Sequence, residues 1–216
     1  MIVGCNNEIT EVHYSGYTID KIYACGGQLV YLNTDSVKWR FILDGGNVAY
    51  ELCQYQDYSA VTSSDTNTYS GSMVTAEIGE CPIIIKDGAF NGCSKLTGIT
   101  LPNSVVNIGN NAFNNCSKLT GITLPNSIIN IGDKTFQQCS KLSSITIPSG
   151  VTSIGSDAFK LCINLTSITV EATTPPTLGN RAFSYTNDCP IYVPCESVDA
   201  YKAAWTAHAS RIQAIP

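Results

Sequence analysis

Along the second half of the chain, apolar residues fall into columns spaced 23 residues apart. Rows of that length align Phe90, Phe113, Phe136 and Phe159, then Cys93, Cys116, Cys139 and Cys162, then Leu96, Leu119, Leu142 and Leu165. The columns continue with Ile99, Ile122, Ile145 and Ile168, then Leu101, Leu124, Ile147 and Val170, then Ile108, Ile131, Ile154 and, one residue late, Leu178. In LTGITLP the apolar residues alternate as in a half-buried strand, and Pro102 ends it because proline cannot donate to a ladder. In VVNIGNNAFNNC the Gly-Asn step turns the chain. Asn110, Asp133, Ser156 and Asn180 then stand where an N-cap would open a single helical turn carrying the Phe.

A single row cannot bury Phe, Cys, Leu and Ile together. Stacked rows place each column over itself at about the 4.8 Å spacing of neighbouring strands. A period of 20–29 residues carrying L-x-x-I-x-L therefore predicts a leucine-rich-repeat solenoid. The expected fold is a β-rich α/β solenoid, a right-handed coil of about five 23-residue repeats, preceded by a small antiparallel all-β domain. The first repeat is read at MVTAEIGECPII, with Met73, Ala76 and Ile78 in the Leu, Ile and Leu columns. The period ends after Gly179 and Phe183. The tail then reads as a strand, Ile191 to Val193, and a helix from about Ser197 with Val198, Tyr201, Ala204 and Trp205 on one face, a cap for the open end.

Residues 1–72 show no 23-residue period and hold eight of the eleven tyrosines. Alternating runs separated by Ser15-Gly16 and by Gly26-Gly27, and another pair around Asp44 to Asn47, predict hairpins. The expected division is a β domain over 1–58, a Ser/Thr-rich linker over 59–72, the solenoid over 73–186 and its cap over 187–216.

Only 13% of the residues are charged and the net charge is −5, so no nucleic-acid footprint is expected. No run approaches the roughly 20 apolar residues of a membrane span. The start, MIVGCNNEITEVHY, lacks a basic segment followed by a long apolar run, so no secretory leader is expected there.

The row IGNNAFNNCSKLTGITLPNSIINIG closely resembles the BspA-like leucine-rich repeats of bacterial surface proteins. The ending TPPTLGNRAF, IYVPCESVDAYKAAW and RIQAI resembles the cap of the same class. The resemblance covers residues 73–216 and implies a bacterial cell-surface or secreted protein that binds or adheres to a protein or glycan partner. KIYACGGQLV resembles short β modules of phage virion and tail-associated proteins, which implies as an alternative a virion or tail-associated structural protein displaying the solenoid.

Candidate chemistry is sparse. His13 and His208 are the only histidines, and the sequence carries no C-x-x-C, H-E-x-x-H, G-x-S-x-G, P-loop or G-x-G-x-x-G pattern. No catalytic residue, metal or cofactor is expected. An enzyme reading would need a site within residues 1–72. The cysteine column reads as buried structural thiols, since Cβ atoms one strand spacing apart are too far separated for a bridge. Cys189 and Cys195 flank an extended PIYVP and stand about 20 Å apart, beyond disulfide reach. For Cys5, Cys25, Cys53 and Cys81 both paired and free states remain open. Asp87 and Asp133 read as capping residues rather than a calcium site, and Lys95, Lys118 and Lys141 as a solvated edge.

The candidate binding surface is the outward face of the strands. One row is Gly98, Gly121, Ser144 and Ser167, and another is Thr100, Thr123, Thr146 and Thr169. Threonine suits an exposed strand on structural grounds alone, so this face reads first as plain sheet surface and, as the alternative, as a flat, uncharged platform for an extended partner. The doubled CSKLTGITLPNS at 93–104 and 116–127 reads as duplication followed by drift.

Overall fold

A computed structural model describes residues 73–76 and 84–216 with their side chains, and for the rest of residues 1–78 the backbone of the strands only. The repeated rows become coils whose strands pair in parallel. On one side Ala60–Val61, Ile84–Ile85, Asn107–Ile108, Asn130–Ile131, Ser153–Ile154 and Thr177–Leu178 form a six-stranded sheet. On a second side Met73–Ile78 pairs with Gly98–Thr100, and Ser144–Ile147, Ser167–Val170, Ile191–Val193 and Ile212–Ala214 form a separate four-stranded sheet. The six columns face the core: Phe113, Cys116, Leu119 and Ile168 are fully buried and Ile145 nearly so, while Ile122 and Leu178 are half-buried.

The third side carries the Phe column and is not helical. Each coil there is a run of hydrogen-bonded turns in which Asn111, Asn115, Lys134, Gln138, Asp157, Leu161, Arg181 and Tyr185 take left-handed backbone angles, with φ between 54° and 64°. The expected helical turn is replaced because alternating handedness points every second N–H at the next coil. The Phe113 amide donates to the Thr135 carbonyl at 2.8 Å, Phe136 to Ala158 at 2.7 Å and Phe159 to Ala182 at 2.8 Å. A helical turn would spend those amides on its own carbonyls.

The capping column is corrected in the same sense. The Asp87 carboxylate accepts from the Asn110 amide, Asn110 Oδ1 from the Asp133 amide and Asp133 Oδ1 from the Ser156 amide, at 2.7, 2.7 and 2.6 Å. Each side chain thus caps the following coil and not its own turn. The neighbouring glycines allow this approach: a Cβ on Gly132 would lie 2.7 Å from the Asn110 nitrogen and from the Gly109 carbonyl carbon.

At the N-terminal side, Ile9–Tyr14 pairs with Tyr17–Ile22, Ala24–Cys25 with Gln28–Leu29, and Val37–Leu43 with Val48–Leu52, all antiparallel. Val37–Leu43 also pairs antiparallel with Met73–Ile78, so this hairpin extends the sheet that the first coils begin. Residues 59–72, expected as a linker, supply Ala60–Val61 to the six-stranded sheet. The residues at the expected turns, the side chains of His13, Trp39 and the tyrosines of 1–72, and the states of Cys5, Cys25, Cys53 and Cys81 lie outside the described residues.

The far end closes with the strand and helix that the tail pattern predicts, but of the expected apolar face Ala204 is exposed and Trp205 follows the last helical residue. Ile191–Val193 is a strand and Val198–Ala204 an α-helix, followed by a 3-10 stretch, Thr206–Arg211, and a final strand that the pattern did not indicate. The Tyr201 hydroxyl donates to the Ala172 carbonyl at 2.7 Å and Trp205 Nε1 to the Pro176 carbonyl at 3.0 Å. Phe90, Phe113, Phe136, Phe159 and Phe183 stack at centroid separations of 5.1 to 5.5 Å, and Trp205 continues the stack at 5.8 Å.

Candidate functional site

Both copies of CSKLTGITLPNS occupy the strand side, yet they differ in structure. Gly98–Thr100 is a strand, whereas Gly121–Leu124 forms no ladder with either neighbour. Glycine in a strand weakens it, through backbone entropy and the missing side chain. Gly98 faces Thr75 across its ladder, while Gly121 follows one coil later and would face Gly98. Two glycines opposite each other supply no cross-strand pair, and cross-strand pairs are the unit of sheet stabilisation. Where serine replaces glycine, at Ser144 and Ser167, four residues pair in register.

The lapse opens a groove of about 900 Å³ that runs across the coils. It is lined by Gly98, Thr100, Gly121, Thr123, Ser144 and Thr146, with Ile99, Ile122 and Leu124 beneath and Asn126, Pro148 and Glu171 along the side where the strands end. Ideal Cβ positions on Gly98 and Gly121 meet no atom within 4 Å, so both glycines face open space. The floor is partly apolar: Ile99 is 9% exposed, against 2% for Ile145 in the unbroken part of the sheet. Six of the eight residues expected on the binding face are therefore gathered in one concavity. Ser167 and Thr169 lie outside it, in register with Ser144 and Thr146 on the adjoining sheet.

Sequence reasoning missed Asn126 and Glu171. The available signal for Asn126 was its place in LPNS, just past the strand-ending proline, where the chain leaves the sheet and borders the same face. Glu171 has no counterpart in the other rows and could be placed only by the stacked coils.

Among the described residues the groove is lined by no histidine or cysteine and by one carboxylate, Glu171. That set offers hydrogen bonding and apolar contact but no acid–base pair. Among the described residues no group of three metal-ligating side chains converges. The cysteines stand apart from this face, inside the coil. Burial pushes the Cys93 thiol up to about 12, and burial reinforced by the neighbouring thiol raises Cys116 and Cys139 well above the ordinary range. As neutral thiols they donate, Cys116 Sγ to the Phe90 carbonyl and Cys139 Sγ to the Phe113 carbonyl, both at 3.2 Å. Cys93, Cys116, Cys139, Cys162, Cys189 and Cys195 are free, and Cys195 alone among these is exposed.

A second, shallower depression of about 380 Å³ lies on the six-stranded side. Its polar side chains are committed to one another: Asn130 Nδ2 donates to Asn107 Oδ1 at 3.0 Å, and Ser153 Oγ to Asn130 Oδ1 at 2.6 Å. A ligand there would have to displace these bonds, whereas the strand-side groove is lined by exposed Thr100, Thr123 and Thr146.

The model of the BspA type leucine rich repeat region matches residues 63–189 in six copies. The chain belongs to that family. The match begins ahead of Met73, in keeping with Ala60–Val61 pairing one coil before Ile84–Ile85. Among solved structures, a leucine rich cell surface protein from Faecalibacterium prausnitzii is similar at 32% identity and TM-score 0.55, over 61% of this chain and 34% of that one. The chain thus spans about a third of that protein's length. A leucine rich repeat protein of T. pallidum is similar at 26% identity and TM-score 0.52, over 66% of this chain and 74% of that one. The pneumococcal vaccine antigen PcpA shares the fold at 18% identity and TM-score 0.52, over 66% of this chain and 42% of that one. No curated protein matches. Among the described residues no helix is long and apolar enough to cross a membrane.

Proposed function

We propose that this BspA-type repeat protein is a non-enzymatic binding or adhesion module that takes a protein or glycan partner on the strand side of the solenoid, at the cell surface or after secretion. The observation that carries this reading is the groove across Gly98, Gly121 and Ser144, where the ladder lapses and open space stands over two glycines. Gly98, Thr100, Gly121, Thr123, Ser144 and Thr146 line the contact, and Ser167 and Thr169 extend it onto the adjoining sheet. The likeness to a bacterial cell surface protein supports the location. In this reading residues 1–58 form a small antiparallel β domain, residues 59–72 connect it to a right-handed solenoid over 73–186, and residues 187–216 cap the far end.

The test is a screen of protein and glycan arrays with the full chain and with Gly121→Trp, whose indole fills the groove from a position with no atom within 4 Å of its Cβ. The expected result is a partner that wild type retains and the folded variant loses. A partner held equally by both, with Gly98→Trp also silent, places binding elsewhere and overturns the reading.

A further inference from the structure

The floor of the groove, Ile99, Ile122 and Leu124, is aliphatic and lies beside Gly98 and Gly121, where an added Cβ meets no atom within 4 Å, so an apolar side chain has room there. Thr100, Thr123, Ser144 and Thr146 surround that floor with hydroxyls. An apolar centre inside a polar rim is the anatomy of a protein–protein contact. A sugar ring docks its C–H faces flat against aromatic rings, and among the described residues no aromatic side chain lines the groove. The charge sits at one end. The upstream rows close their strands on Pro102, Pro125 and Pro148, whereas the next row has Glu171 in that column. The fold uses only its backbone: the Glu171 amide donates to the Ile147 carbonyl at 3.0 Å, a bond that proline could not make and any other residue could. Its side chain is exposed, and none of the ion pairs among the described residues involves it. At the opposite end Glu77 stands in register with Thr100 and Arg40 in register with Glu77, which sets opposite charges side by side there and leaves Glu171 as the unbalanced one.

We infer that the groove takes an extended, basic segment of a protein partner, with an aliphatic side chain seated over Ile122 between the two glycines and a lysine or arginine on the Glu171 carboxylate. This rests on the groove being the binding face and adds the chemistry of the partner. Charge complementarity sets the sign, since the groove offers an acceptor-only carboxylate on a chain that carries −5 overall. The aliphatic floor supplies the anchor, because a side chain that fills a desolvated pocket at the centre of a contact carries most of its energy. Threonine and serine hydroxyls both donate and accept, and so serve the N–H and C=O groups of a peptide backbone. Glu171 lies two coils on from Ile122 and three positions nearer the strand ends, about 14 Å away by coil steps of 5.3 and 5.2 Å and the rise of a strand. In an extended segment residues i and i+4 share a face about 13 Å apart. An anchor and a basic residue at that separation therefore meet both points of the groove at once.

The experiment titrates the isotope-labelled full chain, followed by amide NMR at low and moderate salt, with a short blocked Gly-Ser peptide carrying leucine and, four residues on, lysine. Matched peptides with glutamate for the lysine or serine for the leucine run alongside. The leucine–lysine peptide is expected to shift the amides of Ile122, Thr123 and Glu171, to bind more tightly than either matched peptide, and to lose affinity as salt screens the pair. Glu171→Gln should weaken it by about threefold at low salt and remove the salt dependence, Gly121→Trp should abolish it, and Asp199→Asn on the exposed face of the cap should leave it unchanged. Equal binding of the glutamate peptide, equal affinity in Glu171→Gln, or no binding of the leucine–lysine peptide each overturns the inference. A glycan found on the arrays and lost in Gly121→Trp, in a protein that ignores the peptide, would keep the groove and reject the basic segment. Peptide binding that survives Gly121→Trp and shifts amides outside the groove would reject both.

Discussion

On the turn side five phenylalanines stack without interruption from Phe90 to Phe183, while on the strand side the ladder stops after Thr100 and resumes only at Ser144. The same 23-residue translation generates both sides, so the difference lies in what each column supplies. The turn side repeats a large ring, a thiol donor, a glycine against which the next backbone packs and an Asx side chain that caps the next coil. The strand side repeats a glycine that supplies nothing to its neighbour. The solenoid is therefore held in register by the turn side together with the unbroken six-stranded sheet, and this frees the strand side to open as a groove.

The largest effect should follow from breaking the stack. Phe113 is fully buried between rings at 5.1 and 5.3 Å, and Phe113→Ala should cost about 3–5 kcal/mol in denaturant unfolding. A change below 1 kcal/mol would mean that the turn side does not hold the register. Gly132→Ala comes next. Its Cβ would meet the Asn110 nitrogen at 2.7 Å, and because that contact is backbone, not a flexible side chain, a loss of about 1–3 kcal/mol is expected. Stability equal to wild type would show that adjacent coils can separate at this point. Asn110→Ala removes the acceptor of the Asp133 amide and should cost about 0.5–2 kcal/mol, with faster amide exchange at Asp133 as the local readout.

The columns were legible in the sequence because packing forces them to repeat: Phe, Cys, Leu and Ile recur wherever a coil must bury them. The strand Ile191–Val193 and the amphipathic cap helix were legible from local pattern for the same reason. The lapse at Gly121 was not legible, since residues 93–104 and 116–127 are the same twelve letters. It arises from which row faces which, Gly98 opposite Thr75 but Gly121 opposite Gly98, and that is a relation between coils. The capping partners of Asp87, Asn110 and Asp133 escaped the sequence reading likewise. Read singly, each cap serves its own turn, and only stacking shows that it serves the next. The left-handed angles at Lys134, Gln138 and Arg181 carry no residue signal, because these are not the glycines or asparagines that such angles favour; the inter-coil ladder imposes them.

Strand-side substitutions should change stability in the opposite sense. Gly121→Ala adds a methyl where no atom lies within 4 Å and removes the entropy penalty of glycine, so it should stabilise by about 0.4–1 kcal/mol. It should also restore ladder protection to Ile122 and Thr123 in hydrogen exchange. A destabilised Gly121→Ala would show that the groove is imposed by the fold and not by the glycine.

The smallest effect tests where the turn-side stack ends. His208 sits edge-on to Phe183 at 5.7 Å, and partial burial, with the Arg211 guanidinium nearby and Asp188 partly opposing, holds its pKa below the ordinary 6.5. The folded cap thus binds a proton less readily than the unfolded chain does. Its contribution is complete above pH 6.5 and is lost as pH falls through the lowered folded value. Carboxylates titrate as well on acidification, so the measure is the difference between wild type and His208→Gln. The melting temperature of wild type should drop more than that of the variant between pH 7 and pH 5, roughly the range in which histidine changes charge. Parallel curves for the two proteins would mean that His208 does not help to close the stack, and that Trp205 alone terminates the continuous side of the solenoid.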